Sequence, residues 1–354
     1  MNKVLKSNIT PLAFFEKDQV LIGISGLSLK SGDLRTNKVK TLQKIERDFK
    51  TKTIAKSGLL SRMWRLYPRA SCINGNIIYF VLKGYLYSFD KEVNSLRELM
   101  KFESGMSSPL SLCSYKDGVL FGEYYNNPNK NAVKVYYVDG SGLPKVVCEI
   151  QNIRHVHNII PGSKSDEFIV FTGDDGDEAG IALLNVESQS FKFLVRGDQK
   201  YRGCVGSVLN EKLYYATDSP FEQNSLYSLN LKDSSLLKLL DITGTAIFGR
   251  IISNHFCFST SVESNLKKKP DGSNKIIKID GKNGGILSKS SRIYTLNLET
   301  EKVNVIDGGK KDLLGIHYFG FGTFLFSDSD GKTVVYSSKT LKHKKHKIFF
   351  YDLN

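Results

Sequence analysis

A strand-and-turn pattern returns roughly every 40–50 residues along most of this chain, the spacing of propeller blades. It runs through NGNIIYFVLKGYLYSFDKE from Asn74, KDGVLFGEYYNNPNKNAVKVYYVDGSG from Lys116 and SDEFIVFTGDDGDEAGIALLNVESQ from Ser165. It continues through NEKLYYATDSPFEQNSLYSLNLKD from Asn210 and SNHFCFSTSVESN from Ser253. The last of these resumes, after a basic insertion at 264–290, as SRIYTLNLETEKVNVI from Ser291; FGTFLFSDSDGKTVVYSSKT follows from Phe321. Each unit has a turn, a strand ending in small or acidic residues, a loop and a second strand. One such unit cannot cover both its faces, so the units must stack. The pattern predicts an all-β fold: a single β-propeller over 1–354, built of four-stranded antiparallel blades. Six blades are clear, and QVLIGISGLSLKSG from Gln19 supplies a seventh. A six-bladed ring is the alternative, with residues 1–60 only decorating or completing another blade. Helical readings are confined to VKTLQKIERDFK (Val39–Lys50) and LLSRMWRLYPRA (Leu59–Ala70).

The formal net charge is +14, which admits a polyanionic partner. The lysines, however, gather in turn-like stretches such as LKKKPDGSNK, GGKKD and LKHKKHK. They do not interleave with aromatics, so the reading disfavours nucleic acid. Five cysteines lie without CxxC spacing, mostly in apolar runs, and read as reduced core residues of a cytosolic protein. The first residues lack a signal-peptide apolar segment, and no run is long enough to span a bilayer. These features set an expectation of a cytoplasmic protein, with basic loops allowing peripheral contact with the inner face of the membrane. Neither GxGxxG nor GxxxxGK occurs, so no nucleotide cofactor is supported.

In a four-stranded blade, entry into the innermost strand and the loop from the second strand to the third share one end, because consecutive strands run antiparallel. QNIRHVHN enters an innermost strand and brings Arg154, His155 and His157 to that end; DQKYRGC does the same for Gln199, Tyr201 and Arg202. Second strands deliver Glu123, Asp174 and Asp218, and the loops beyond them carry Glu178, Glu222, Asn224 and Glu263. Mouths of β-rings are common ligand sites. Here His155, His157, Asp174, Asp218 and Glu123 are the catalytic candidates. Arg154, Glu178, Gln199, Tyr201, Arg202, Glu222, Asn224 and Glu263 are the substrate-binding candidates. The histidines can serve as base or acid, or can hold a divalent metal together with Asp174, Glu178 or Gln199. No zinc motif supports that metal, so no metal ligand is assigned. Acids at strand ends also serve as turn caps, arginines pair with neighbouring acids, and the tyrosines pack between blades.

Six segments in order resemble bacterial sialidase-like, BNR-repeat propellers, a family of glycosyl hydrolase type found among surface-polysaccharide genes. They are FGEYYNNP (Phe121–Pro128), IRHVHN (Ile153–Asn158), FTGDDGDEAGI (Phe171–Ile181), GDQKYR (Gly197–Arg202), YYATDSPFEQN (Tyr214–Asn224) and FSTSVESN (Phe258–Asn265). The tryptophan of a full Asp box is missing from LLNVESQSFKF and YSLNLKDSSLLKL. The three-arginine clamp of true sialidases has no clear counterpart either. The resemblance therefore implies a fold and a glycan setting rather than a sialidase reaction. It implies action on an acidic or amino-sugar-containing surface polysaccharide, or on a lipid-linked oligosaccharide precursor. Hydrolysis with Asp174 and Asp218 as acid and base or nucleophile is the default. Elimination is the variant, with His155 or His157 as base and an arginine neutralising a uronate. The alternative is a non-catalytic propeller that binds glycan or partner proteins during polysaccharide biosynthesis.

Overall fold

The computed structural model describes residues 3–102, 108–271 and 273–353. Among the described residues, seven sheets of four strands or, in one case, five make up the blades, and a separate two-stranded hairpin accompanies them. This is a seven-bladed β-propeller, and the N-terminal stretch does supply a blade of its own. Two compact units can be described separately: residues 69–247, and residues 1–68 together with 248–354.

The first unit contains four sheets. Their innermost strands are Ala70–Asn74, Cys113–Tyr115, Val156–Pro161 and Gly203–Leu209. Second strands such as Glu167–Thr172 and Lys212–Thr217 are almost wholly buried. Neighbouring sheets pack face to face. Phe171, Ile181, Tyr215 and Leu229 form one shared core, and Leu120, Val135, Ile159 and Val170 form another. Burial of each such side chain contributes about 1.5–3 kcal/mol. These two cores hold neighbouring strand ends in fixed relation, and the candidate site is built from those ends.

The second unit contains three blade sheets and a separate two-stranded hairpin among its described residues. Thr10–Phe15, Val20–Ser25, Ser28–Asp33 and Lys38–Lys44 form one of them, and Asp328–Ser329 adds to its inner edge in parallel. Lys3–Lys6 does not belong to that sheet. It pairs antiparallel with Lys347–Asp352 and completes the last blade. The N-terminal stretch thus both forms a blade and completes another, where the sequence posed these as alternatives. The basic insertion carries a hairpin of Asn265–Lys268 with Asn274–Ile277; Gly272 lies outside the described residues.

One helix assignment needs correction. Lys38–Lys44 is an outer strand, and helix α1 begins only at Phe49 and ends at Ala55. The strand's first four residues are exposed, so packing does not enforce the period-two alternation that marks a half-buried strand. Asp48 caps α1, with its carboxylate accepting from the Thr51 amide, so the acid read as helix interior is the residue that starts the helix. Helix α2 spans Gly58–Met63. No helix among the described residues is long and apolar enough to cross a membrane.

Candidate active site

His157 sits at a break in strand register. Val156 pairs with Thr172 and Asn158 with Phe171, which leaves His157 as an extra residue on the innermost strand. The next blade repeats the device: Gly203 pairs with Thr217 and Val205 with Ala216, leaving Cys204 extra. Bulges of this kind re-aim side chains at the ends of sheets. They turn His157 and Cys204 toward the strand ends that carry Asp174 and Asp218.

Asp174 follows the second strand after Gly173, whose φ of +61° is left-handed. A Cβ on Gly173 would stand 2.2 Å from the Glu178 carbonyl oxygen, so only glycine allows this turn. Asp174 is then fixed from the next blade. Gln199 Nε2 donates to its main-chain oxygen at 2.9 Å and Arg202 Nη1 does so at 3.1 Å. Ser219 Oγ holds the far end of Gln199 at 2.8 Å.

The resulting cluster is tight. His155 Nε2 and His157 Nε2 are 3.1 Å apart. Asp174 Oδ2 lies 3.4 Å from the first and Oδ1 lies 3.3 Å from the second. Arg202 Nη2 bridges Asp174 Oδ1 at 3.0 Å and Asp218 Oδ2 at 3.6 Å. Cys204 Sγ donates to Asp218 Oδ2 at 3.2 Å. Tyr124 lies over His155 with ring centres 4.3 Å apart, and the Arg69 guanidinium lies 4.8 Å from the Tyr124 ring centre. Both histidines are buried, while the Asp174 side chain keeps 24% of its surface exposed and so marks the open side.

The tautomers decide what this arrangement can do. His157 Nδ1 faces the Gly203 carbonyl at 3.1 Å and His155 Nδ1 faces the Tyr125 carbonyl at 3.4 Å. A carbonyl only accepts, so each Nδ1 carries the proton. Each Nε2 then faces the other and the Asp174 carboxylate. Three acceptors meeting in a buried space need a cation between them, either a proton or a metal ion. Burial pushes His155 below its ordinary pKa, with His157 adding to the effect and Asp174 opposing it. Burial alone would raise Asp174, but hydrogen bonds from the histidines when the cluster's cation is a proton on Nε2, together with the Arg202 charge, hold it well below the usual carboxylate range.

A metal fits this donor set. Ligands at about 2.0–2.2 Å from a shared ion stand roughly 3 Å apart, close to the spacings of 3.1, 3.3 and 3.4 Å found here. Imidazoles whose other nitrogen donates to a main-chain carbonyl have the outer support that metal-binding histidines usually show. His157, Cys204 and Asp218 form a second ligand set, overlapping the first at His157. Burial is the largest cause raising both Cys204 and Asp218, and Arg202 pulls each back down.

The remaining candidates divide by what the fold asks of them. Both Glu123 oxygens are engaged, accepting from the Lys134 amide at 2.9 Å and the Tyr136 hydroxyl at 3.1 Å. Glu178 is buried; Oε2 accepts from the Arg154 amide at 2.8 Å, while Oε1 lies 3.3 Å from Arg154 Nε. Asn224 is fully buried and ties Thr217 to the Ser219 main chain. Arg154 and Tyr201 are half-buried and Glu222 is exposed. Glu263 belongs to the unit of residues 1–68 and 248–354, just past the strand His255–Ser261. Cys204 was read from sequence as a core residue. Its signal is its place in GCV after GDQKYR, which matches His157 in VHN after IRH once the blades are aligned.

No protein-family model and no curated protein matches the sequence. Solved structures share the fold over its full length. An oligogalacturonate lyase from Vibrio parahaemolyticus is similar at 9% identity and TM-score 0.59, covering 100% of this chain and 91% of that one. An oligogalacturonate lyase in complex with manganese is similar at 12% identity and TM-score 0.53, with the same coverages of 100% and 91%. A Myceliophteria thermophila β-propeller domain is similar at 8% identity and TM-score 0.59, covering 100% of both chains. Identities this low show the propeller fold and leave activity to the site.

Proposed function

We propose that this chain is an enzyme acting on an acidic saccharide, that His155, His157 and Asp174 hold a divalent cation, and that the reaction is a β-elimination beside a uronate carboxylate. The observation that carries the reading is the convergence of two imidazole Nε2 atoms and one carboxylate within 3.1–3.4 Å of one another, with each Nδ1 turned to a main-chain carbonyl. That two solved relatives by fold are oligogalacturonate lyases, one of them with manganese, is in keeping with this reading.

A divalent cation at such a site would supply Lewis acidity toward a substrate carboxylate, making the adjacent C–H acidic enough to lose its proton to solvent water on the open side while the bond to the leaving oxygen breaks. The protein's own part is to orient the substrate. Arg202 holds Asp174 and Asp218 in place, and the half-buried Arg154 offers terminal guanidinium donors to the uronate. Tyr124 is held against His155, and burial raises its hydroxyl to about 12. It therefore stays protonated at neutral pH and can donate to the leaving oxygen. Hydrolysis by paired carboxylates is less well served. It needs one acid with a raised pKa and one free carboxylate, both open to the substrate. Asp218 is raised by burial but is itself buried and paired with Cys204 and Arg202, while both oxygens of Glu123 are taken up by the fold.

The test is to load the full chain with manganese or magnesium, add oligogalacturonate and other uronate oligosaccharides, and follow two signals. Ultraviolet absorbance of an unsaturated product that a chelator abolishes is the expected result. New reducing ends without that absorbance would mean hydrolysis. Saturable binding without either signal would mean a non-catalytic glycan-binding propeller.

A further inference from the structure

A second polar feature lies in the unit of residues 1–68 and 248–354, built wholly from that unit. It is a cavity of about 390 Å³ beside the Ser25–Gly26 turn, helix α2 and the loop that follows Ser337. Lys56, Lys339, Lys345, Lys347 and Arg62 all line it, and no aspartate or glutamate does. The volume suits a small-molecule ligand.

The charges here are not cancelled nearby. Asp312 is the acid that serves Arg62 at 2.5 Å, Lys345 at 3.2 Å and Lys311 at 2.6 Å. One carboxylate thus faces three cations. Lys339 has no acidic partner among the described residues; its ammonium lies 5.4 Å from the Tyr67 ring centre. Burial pushes Lys339 down to about 8, so the group is cationic at neutral pH at a cost that a bound anion would relieve. Ser337 also lines the cavity. It is 3% exposed, and its hydroxyl has no hydrogen-bond partner. A buried, unpartnered hydroxyl among lysines is a polar group that lacks only an acceptor.

The kind of anion follows from the donors. Carboxylates are best met by an arginine fork, but Arg62 is already spent, with Nε on the Phe319 carbonyl and both terminal nitrogens on Asp312. What remains are ammonium groups and a hydroxyl, point donors arranged around a space, which suit a tetrahedral dianion. We infer that this cavity is a binding site for a phosphate group carried by a small molecule or a lipid headgroup, with Lys339, Lys56 and Ser337 as its principal contacts. The site is independent of the His155 cluster and does not rest on the function proposed for it.

The experiment uses the full chain in the presence of a chelator, with pyrophosphate and inorganic phosphate as probes at constant ionic strength. Isothermal titration and phosphorus NMR should show one saturable site. Lys339→Met should weaken it by about tenfold or more, the loss of one charge-assisted contact, while Lys268→Met on the exposed hairpin leaves it unchanged. Acetate at the same ionic strength should not compete. Sedimentation with vesicles of phosphatidylcholine, with and without phosphatidic acid, separates the two sources. Soluble binding alone indicates a free phosphate compound, and phosphatidate-dependent sedimentation competed by pyrophosphate indicates a headgroup. The inference is overturned if no saturable site appears, if acetate competes equally, or if Lys339→Met behaves like Lys268→Met. Melting curves accompany each variant. Should Lys339→Met fail to fold, the exposed Lys56→Ser combined with Ser337→Ala must show the same loss.

Discussion

The Nε2 atoms of His155 and His157 face each other across 3.1 Å, and each ring donates from Nδ1 to a main-chain carbonyl. Such a pair is stable only with a cation between the rings, which makes cation content the first quantity to measure. Purified protein should carry a divalent metal near one equivalent by elemental analysis. His155→Ala and His157→Ala should each lower metal affinity by more than the roughly 10–100-fold that loss of an outer-shell partner brings. Metal retained by both variants would refute the assignment.

The same pair sets a pH dependence. His155 has its folded-state pKa lowered from 6.5, so the unfolded chain binds that proton more readily than the folded one. Stability from this group is therefore full above 6.5 and falls as pH drops below it toward the folded-state value. Protons also compete with metal for the imidazoles. Denaturant midpoints of the metal-free chain should fall between pH 7.5 and 5, and metal affinity should fall over the same interval. Asp174, held low, contributes stability that is present above its unfolded pKa and is lost only in stronger acid. An Asp174→Asn variant should leave the decline below 6.5 in place but reduce the loss of stability in strong acid.

Arg202 joins Asp174 to Asp218. Arg202→Met leaves two carboxylates beside each other without their cation. The expected cost is about 3 kcal/mol, the low end for breaking a buried pair, because Asp174 is partly open to water. Urea unfolding with an unchanged slope would measure it. Asp218→Asn should be milder for folding, since it removes a buried carboxyl while Arg202 keeps its partner in Asp174. Its effect should fall on turnover rather than on the melting temperature.

Gly173→Ala tests the turn that presents Asp174. The new Cβ meets the Glu178 carbonyl, and the residue must keep a positive φ. A loss of more than about 1 kcal/mol is expected, together with weaker metal binding. A variant that keeps both stability and metal would show that the turn can relax.

How much of this could be read in the sequence depends on how local the signal is. Blade rhythm is local: turn, apolar strand, turn. The blades follow from it, including the one begun by Thr10–Phe15. The outer strand Lys38–Lys44 was misread as the start of a helix because its exposed residues bear no packing constraint. The sharing of one end by His155, His157, Asp174, Arg202 and Asp218 follows from antiparallel order alone. The bulges at His157 and Cys204 do not, because register is settled by pairing with a strand ten or more residues away. Nor does sequence separate Glu123 from Asp174. Both are acids at second-strand ends, yet the fold occupies both oxygens of Glu123 and leaves Asp174 facing its histidines.

The pairing of Lys3–Lys6 with Lys347–Asp352 has a consequence for biogenesis. Lys3–Lys6 has no mate until Lys347–Asp352 has been synthesised. Until then, the backbone edge of that final sheet stays open to pairing with other nascent chains. Shortening the chain by its first six residues would leave that edge open permanently, so self-association should appear well before any loss at the histidine cluster.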